Sequence, residues 1–241
     1  GKADHVIIAT KAADVEAAAT AAKGILSDDG VVLTIQNGLG SADRVAAIVG
    51  KDRVLLGVVG GFGASIPQPG HVHHNGWEFL RLGEFIGGVT PRLEQVAATW
   101  RQGGFKVHVF DDIHKMVWEK FICNVAFSGS TTWTGLTIGE VCANPDAWRV
   151  ASGCAVEAFN VARAKGINLD FNDAAKYVRD FGAKIPGARP SMLLDHMAKR
   201  RSEIEVINGA VPVVAASVGL EAPMNATVTA LILAREAQFA R

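Results

Sequence analysis

The chain lacks the cysteine pattern of a small secreted domain. Its 241 residues contain three cysteines, Cys123, Cys142 and Cys154, and no C-x-x-C pair. An odd number of cysteines cannot be fully paired, and no other feature indicates secretion. We therefore expect a reducing, cytoplasmic environment in which the three thiols are small buried hydrophobic groups.

An excess of one charge and long apolar runs are also missing. Lys and Arg number 24, Asp and Glu also number 24, and the formal net charge is +0, so nothing points to nucleic acid or an anionic membrane surface. The most apolar stretches, such as residues 210–220, are about 11 residues long, which is too short to span a bilayer. The N-terminus does not read as a signal peptide. Hydrophobic residues nevertheless make up 49% of the chain, which excludes a disordered protein.

Strand and helix patterns alternate through the first 110 residues. Short apolar runs predict strands at residues 5–10, 31–36 and 53–59, with helices at 12–26 and 41–49 between them. Uninterrupted apolar strands separated by helices indicate a parallel sheet that is covered on both faces. Two further strands, at 70–75 and 78–84, are predicted to form a hairpin, followed by a helix at 91–102 and a strand at 106–110. Residues 1–110 are therefore expected to form the later part of a doubly wound, Rossmann-like α/β domain.

From residue 111 onward the sequence shows helical periodicity alone. Helices are predicted at 113–128, at 138–165 with a break at Asn144-Pro145, and at 172–185, 192–218 and 225–240. We place a domain boundary near Asp111, so that residues 111–241 form an all-helical second domain.

A glycine-rich phosphate loop is not found in the α/β region. Dinucleotide-binding domains normally open with a strand, a Gly-rich turn and a helix whose N-terminus holds the pyrophosphate. Residues 38–43 follow a strand and open a helix, but Asp43 occupies the third glycine position. We interpret Gly38 and Gly40 as tight-turn residues. The expectation is that a front unit carrying the phosphate loop is absent from this chain, either because the sequence is truncated or because the fragment is genuine, and that the chain alone binds a nicotinamide dinucleotide poorly.

Two short strings in the helical region carry most of the chemical information. The first is residues 118–124 (WEKFICN), in which Lys120 and Asn124 lie four residues apart and project from one helix face. A polar pair on an otherwise apolar helix needs a partner, and a bound substrate is one candidate. The second string combines residues 191–195 (SMLLD) with residues 203–209 (EIEVING). Together, in this order and at this separation, the strings resemble the ketopantoate reductase (2-dehydropantoate 2-reductase) family.

The resemblance covers nearly the whole chain apart from the front unit, and it implies both a fold and an activity. The implied fold is a partial doubly wound parallel sheet followed by an all-helical C-terminal domain of the 6-phosphogluconate dehydrogenase type. The implied activity is the NADPH-dependent reduction of a 2-oxo acid to the 2-hydroxy acid, a cytoplasmic step of pantothenate biosynthesis. The expected ligands are NADPH/NADP and a small 2-oxo acid. A homodimer is left open, and no nucleic-acid, membrane or metal partner is expected.

The resemblance also assigns roles to individual residues. Lys120 matches the family's general acid, and Glu203 matches a glutamate that contacts cofactor and substrate, so both are expected to be catalytic. The implied cofactor-binding residues are Lys11, Asn37, Gly63 and Glu203, and the implied substrate-binding residues are Asn37, Lys120, Asn124, Ser128 and Ser191. Structural alternatives stay open: a solvated helix start for Lys11, a turn role for Asn37, a snorkelling lysine at 120, a helix N-cap at Ser191 and an exposed charge at Glu203.

Two positions depart from the family pattern. Ser128 and Ile138 stand where the family commonly has asparagines. Isoleucine cannot donate a hydrogen bond to a substrate hydroxyl, and a site loses discrimination when such a donor is removed. A related, more apolar 2-oxo acid is therefore a plausible substrate beside ketopantoate. Asn208 is assigned a structural role, and Asn225 is expected to cap the last helix.

Other interpretations remain open from the sequence. Helical-domain dehydrogenases acting on 3-hydroxy acids or glycerol 3-phosphate also place a Lys-x-x-x-Asn on a helix. A non-catalytic fragment that retains a binding or dimerisation role would fit the missing front unit. His71 and His73 alternate onto one face of a predicted strand with Glu78 nearby, but this pattern is weak evidence for a metal site.

Overall fold

The chain forms two compact units in the computed structural model, which describes residues 1–61, 63–76 and 79–239. Unit 1 comprises residues 1–36 and 41–117, and unit 2 comprises residues 37–40 and 118–241. Unit 1 is an α/β structure and unit 2 is helical, which confirms the predicted fold class.

Unit 1 is built around a five-stranded sheet. Its strands are β1 (Ala3–Ile8), β2 (Leu26–Thr34), β3 (Val54–Gly60), β6 (Phe79–Glu84) and β7 (Val107–Val109), and a separate two-stranded sheet contains β4 (Gly63–Gln68) and β5 (His71–Gly76). The helices are α1 (Val15–Ile25), α2 (Ser41–Val49) and α3 (Pro91–Gln102), with 3-10 turns at Ala12–Asp14 and Lys51–Arg53. The main sheet has the order β1-β2-β3-β6-β7.

The central strands of unit 1 are buried on both faces. Along β3, Val54, Leu56 and Val58 pack into one hydrophobic cluster, whereas Leu55 packs into a second cluster together with Leu33 of β2. Because successive side chains of a strand point to opposite faces, two separate clusters mean that helices cover both sides of the sheet. This explains why the strands appear in the sequence as continuous apolar runs.

The predicted hairpin of residues 70–75 with 78–84 is wrong. β5 pairs antiparallel with β4, whereas β6 joins the main sheet, antiparallel to β3 and parallel to β7. Leu80 and Leu82 of β6 are fully buried and belong in the main core. After its first residue β4 is exposed throughout, so it has no apolar pattern that would have revealed a strand. Glu78, where the second strand was predicted to begin, lies outside the described residues.

Unit 2 is a bundle of helices around one large hydrophobic core. Its helices are α4 (Ile113–Thr134), which begins in unit 1, α5 (Ile138–Ala143), α6 (Pro145–Ala164), α7 (Ala174–Lys184), α8 (Ser191–Met197), α9 (Ala210–Ser217) and α10 (Pro223–Glu236), with a 3-10 turn at Ile204–Val206. Within the part of the chain that the structure describes, no helix combines the length and apolar character that a membrane span requires.

The helix break at Asn144-Pro145 is confirmed, whereas the single helix predicted at 192–218 is wrong. Asn144 caps α6 by accepting hydrogen bonds from the backbone N–H groups of the next turn, and Pro145 occupies the first helical position. Residues 192–218 instead form the end of α8, the 3-10 turn and α9. Lys199, with φ +53°, and the polar residues around it interrupt the apolar periodicity that a continuous helix would need.

Candidate active site

Helix α4 aligns three of the predicted site residues. Lys120, Asn124 and Ser128 follow one another at intervals of four residues, so they lie along one side of the helix. Lys120 and Asn124 are half-buried, and Ser128 is buried. Phe121 and Ile122, beside them, are buried in the core of unit 2, which fixes the rotation of the helix about its axis.

Lys120 contacts Asn37 directly. The Nζ of Lys120 donates a hydrogen bond of 2.8 Å to Oδ1 of Asn37, across 83 positions of sequence. The ammonium group is thereby directed towards a defined amide oxygen. Two residues that the resemblance assigned to one site are thus in contact within unit 2.

The turn of residues 37–40, which carries Asn37, is hydrogen-bonded to the second sequence string at residues 203–209. Leu39 N donates a hydrogen bond of 2.9 Å to the carbonyl oxygen of Val206. Gly38 has φ +82°, and a Cβ atom placed on it would lie 2.2 Å from that same oxygen. Only glycine fits such a close approach of two backbones. The interpretation of Gly38 and Gly40 as tight-turn residues is confirmed, since both have positive φ.

Glu203 lies at the start of the 3-10 turn against which the Asn37 turn packs. Its carbonyl oxygen accepts hydrogen bonds of 3.2 Å from the backbone N–H groups of Val206 and Ile207. Ile204 is fully buried, and Glu203 is half-buried, so the alternative of an exposed charge at Glu203 is wrong. Asn37, Lys120 and the segment that begins at Glu203 therefore belong to one continuous cluster of contacts.

Ser191 and Asn124 present polar groups that the protein uses little for its own folding. Ser191 is the first residue of α8 and is exposed, and Pro190 occupies the N-cap position, so the alternative of Ser191 as a helix N-cap is wrong. The Asn124 side chain makes no hydrogen bond to any residue in the described ranges. Its half-buried amide can therefore donate to a ligand without breaking an internal bond.

A buried polar network lies next to this cluster. Nδ2 of Asn208 donates hydrogen bonds of 2.9 Å to the carbonyl oxygen of Val125, one residue after Asn124, and to Oδ1 of Asn225. Asn225 is fully buried inside α10, so its predicted role as the helix cap is wrong. The carboxylate of Glu157 caps this helix instead, since it accepts hydrogen bonds from the backbone N–H groups of Met224 and Asn225 at 2.8 and 3.0 Å. Asn208 has the structural role that was predicted.

Ile138 occupies an apolar environment. It is buried at the start of α5, after a capping box in which Thr137 N donates to the carboxylate of Glu140 and thereby lowers the pKa of that carboxyl. The backbone N–H of Ile138 donates a hydrogen bond of 3.1 Å to the carbonyl oxygen of Ala188, in the segment that leads to Ser191. The side chain packs in the core of unit 2 and offers no hydrogen-bond donor.

Lys11 and Gly63 belong to unit 1, whereas the other predicted site residues belong to unit 2. Lys11 is exposed and follows the carboxyl end of β1, and Gly63 is half-buried at the start of β4. Gln36 links the carboxyl ends of two strands, because its side-chain amide donates to Ile8 O at 2.7 Å and to Thr10 O at 3.1 Å.

Metal-ligand geometry is not found among residues 1–61, 63–76 and 79–239, where no three His, Cys, Asp or Glu side chains are grouped to hold an ion. His71 and His73 lie in β5, and Glu78, the acidic residue considered with them, lies outside the described residues.

Comparison with known proteins identifies relatives over nearly the whole chain. The family model described as ketopantoate reductase PanE/ApbA C terminal matches residues 112–236, and the model for ketopantoate reductase PanE/ApbA matches residues 1–87. A 2-dehydropantoate 2-reductase of Archaeoglobus fulgidus is 33% identical over 231 residues, which cover 95% of this chain and 76% of that protein.

Solved structures agree with this match. The crystal structure of a PanE/ApbA family ketopantoate reductase from Ralstonia eutropha JMP134 superimposes with a TM-score of 0.88 at 28% identity, covering 99% of this chain and 78% of that one. A D-mandelate dehydrogenase in a ternary structure with NADH and anilino(oxo)acetate has a TM-score of 0.88 at 24% identity, covering 100% and 78% of the two chains, and shares the fold.

Proposed function

The chain belongs to the ketopantoate reductase family, and we propose that it reduces a 2-oxo acid to the 2-hydroxy acid with NADPH as the hydride donor. As a member of this family it is an oxidoreductase. The observation that carries the proposal is the 2.8 Å hydrogen bond between Lys120 and Asn37, beside a helix face that also presents Asn124. This arrangement brings a proton donor and two amides together in one unit.

Lys120 is proposed as the general acid. A bound nicotinamide would supply the hydride to the ketone carbon, and negative charge would then develop on the ketone oxygen. Lys120 holds a proton at Nζ, stabilises this charge and donates the proton to the oxygen. The hydrogen bond to Asn37 Oδ1 directs one of the three N–H groups of the ammonium and so restrains its position.

The substrate is proposed to contact polar groups on four segments of unit 2. Asn37 and Asn124 bind the carbonyl and the oxygens next to it, and Ser128 lies one turn further along α4. Ser191 donates its hydroxyl hydrogen to the substrate carboxylate, which suits its exposed position at the start of α8. Glu203 orients a substrate hydroxyl or the cofactor ribose.

The cofactor is proposed to contact Lys11, Asn37, Gly63 and Glu203. Ligands of open α/β sheets bind outside the carboxyl ends of the strands, and Lys11 follows such an end. The exposed ammonium of Lys11 fits an anionic or polyhydroxy group, and the lack of a side chain at Gly63 fits a close approach of backbone. The residues present are therefore compatible with a nicotinamide dinucleotide.

The substrate is proposed to be less polar at one end than ketopantoate. Ile138 is buried among apolar side chains, and the Ser128 hydroxyl reaches less far than an asparagine amide would. A site without these amides holds a substrate hydroxyl less selectively. Homodimer formation and a cytoplasmic location stay predictions.

Steady-state reduction of a panel of 2-oxo acids by the complete gene product tests the proposal. The panel contains ketopantoate, the same branched acid without its hydroxyl, and an aryl 2-oxo acid, each assayed with NADPH and with NADH. We expect kcat/KM in the usual enzymatic range above about 10⁴ M⁻¹s⁻¹ for at least one 2-oxo acid. Turnover of 3-hydroxy acids or glycerol 3-phosphate alone, or of none of these compounds, would contradict the proposal.

A further inference from the structure

We propose that Glu236, near the end of α10, is a positioning residue that holds the segment carrying Ser191 and Glu203. The segment comprises residues 191–203, which include α8 and the loop after it. The inference deepens the proposed function, on which it rests for the ligand that the segment binds.

The carboxylate of Glu236 connects α10 to both parts of this segment. Its Oε1 accepts hydrogen bonds from Ser202 N at 2.8 Å, from Ser202 Oγ at 2.6 Å and from His196 Nε2 at 3.0 Å. His196 lies in α8, five residues after Ser191, and Ser202 directly precedes Glu203. One oxygen atom therefore fixes the two ends of the loop to the same point.

Glu236 and His196 are almost completely buried. Their side chains are 5% and 1% exposed, and the ring of Phe239 packs edge-on against His196 with centroids 5.0 Å apart. A buried carboxylate must be compensated by donors, and hydrogen bonds to an ionised group are the stronger ones. The three donors from the segment supply this compensation, so the segment and α10 stabilise each other.

The loop of the segment depends on such a connection because it has little packing of its own, whereas α8 buries Met192 and Leu193. Residues 197–201 are exposed, and Lys199 has the left-handed φ of +53°. Arg200 closes the loop locally by donating to Asp195, through Nε to Oδ1 at 3.0 Å and through its backbone N–H to the carbonyl oxygen at 2.8 Å. This local closure does not connect the loop to another helix, whereas Glu236 does.

Limited proteolysis tests the connection without any reference to activity. Trypsin cleaves after Lys199, Arg200 and Arg201, all of which are exposed, and mass spectrometry of the fragments gives the cleavage rate at these bonds. E236A removes the acceptor of three hydrogen bonds, and this loss should raise the fraction of molecules with a locally unfolded loop about 10- to 100-fold. Because trypsin cleaves the unfolded loop, E236A is expected to accelerate cleavage by the same factor. E236Q keeps an acceptor oxygen and is expected to remain within about threefold of the native rate.

R235A is the matched control for a general loosening of α10. Arg235 lies in the same turn, and its Nη1 donates to Thr132 O at 3.1 Å, in α4 and away from residues 191–203. R235A is expected to leave cleavage at residues 199–201 unchanged, even if it lowers the melting temperature as much as E236A does. Equal rates for E236A, R235A and the native protein would overturn the inference.

Kinetics then connect the segment to the substrate. With a 2-oxo acid that the native enzyme reduces, E236A is expected to raise KM about tenfold, because the loosened segment carries the carboxylate-binding Ser191, and to lower kcat as well, because the same segment carries Glu203. E236Q is expected to have a KM close to that of the native protein. An unchanged KM in E236A would contradict the positioning role. A native enzyme that reduces no 2-oxo acid would refute the proposed function instead, and the proteolysis would still decide whether Glu236 holds the segment.

Discussion

Replacement of Gly38 by alanine tests how the turn of residues 37–40 supports the site. The added Cβ would lie 2.2 Å from Val206 O and 2.8 Å from the carbonyl carbon of the same residue. Both are backbone atoms that cannot rotate away, so the turn itself must move. It would then lose the hydrogen bond from Leu39 N to Val206 O, and Asn37 would shift relative to Lys120.

The expected magnitude follows from two contributions. A left-handed φ at a residue with a side chain costs about 1–2 kcal/mol, and the lost hydrogen bond adds about 0.5–1.5 kcal/mol. G38A should therefore lower the free energy of unfolding by about 1.5–3.5 kcal/mol, measured by urea denaturation followed by circular dichroism. A displacement of about 1 Å at Asn37 should also reduce kcat/KM about 10- to 100-fold.

G40A separates backbone strain from the steric conflict. Gly40 has φ +87°, but no atom lies within 4 Å of the position its Cβ would take. G40A should therefore show the strain alone, about 1–2 kcal/mol, with kcat/KM within about threefold of the native value. If G38A and G40A behaved alike in stability and in activity, the contact between the turn and Val206 would not support the site.

Three other predictions concern buried and half-buried groups of unit 2. Burial raises the pKa of the Cys123 and Cys154 thiols to about 12, so above about pH 8.5 the folded protein keeps protons that the unfolded chain releases. The free energy of unfolding should not depend on these thiols below about pH 8.5. Above that pH it should fall by up to about 1.4 kcal/mol per pH unit for each thiol. Half-buried Cys142 should react first with a thiol reagent at pH 8, and equal rates at all three would contradict this account. N208A leaves Oδ1 of Asn225 without its donor and should lower the free energy of unfolding by about 1–3 kcal/mol. N124A should change it by no more than about 0.5 kcal/mol. Equal losses would contradict the structural role of Asn208.

The sequence predicted those elements whose signals are local. The central strands of the main sheet are recognisable as apolar runs because both faces of that sheet are covered. The break at Asn144-Pro145 follows from capping chemistry within one turn. β4 and its pairing with β5 were missed because β4 is exposed and its partner is chosen by tertiary structure. The interruption of the predicted helix at 192–218 was missed, although the polar residues around Lys199 break the apolar periodicity there.

The candidate site was predicted in part. The spacing of Lys120 and Asn124 indicated one helix face, but their connection to Asn37, 83 residues away from Lys120, came from the family resemblance. Glu236 was missed, although a signal existed: it continues the buried series Val228 and Ile232 at intervals of four residues. A charged residue in a core-facing series needs a buried partner, and this rule would have singled it out.

The general-acid role of Lys120 is the central claim, and the kcat of K120A on the best 2-oxo acid tests it most directly. Retention of the fold by the variant should be checked by circular dichroism, since Lys120 is half-buried and its Nζ donates a hydrogen bond to Asn37 Oδ1. Loss of a positioned proton donor should lower kcat about 10²- to 10⁴-fold. A decrease of less than about tenfold in the correctly folded variant would contradict the claim, since the proton would then come from another group.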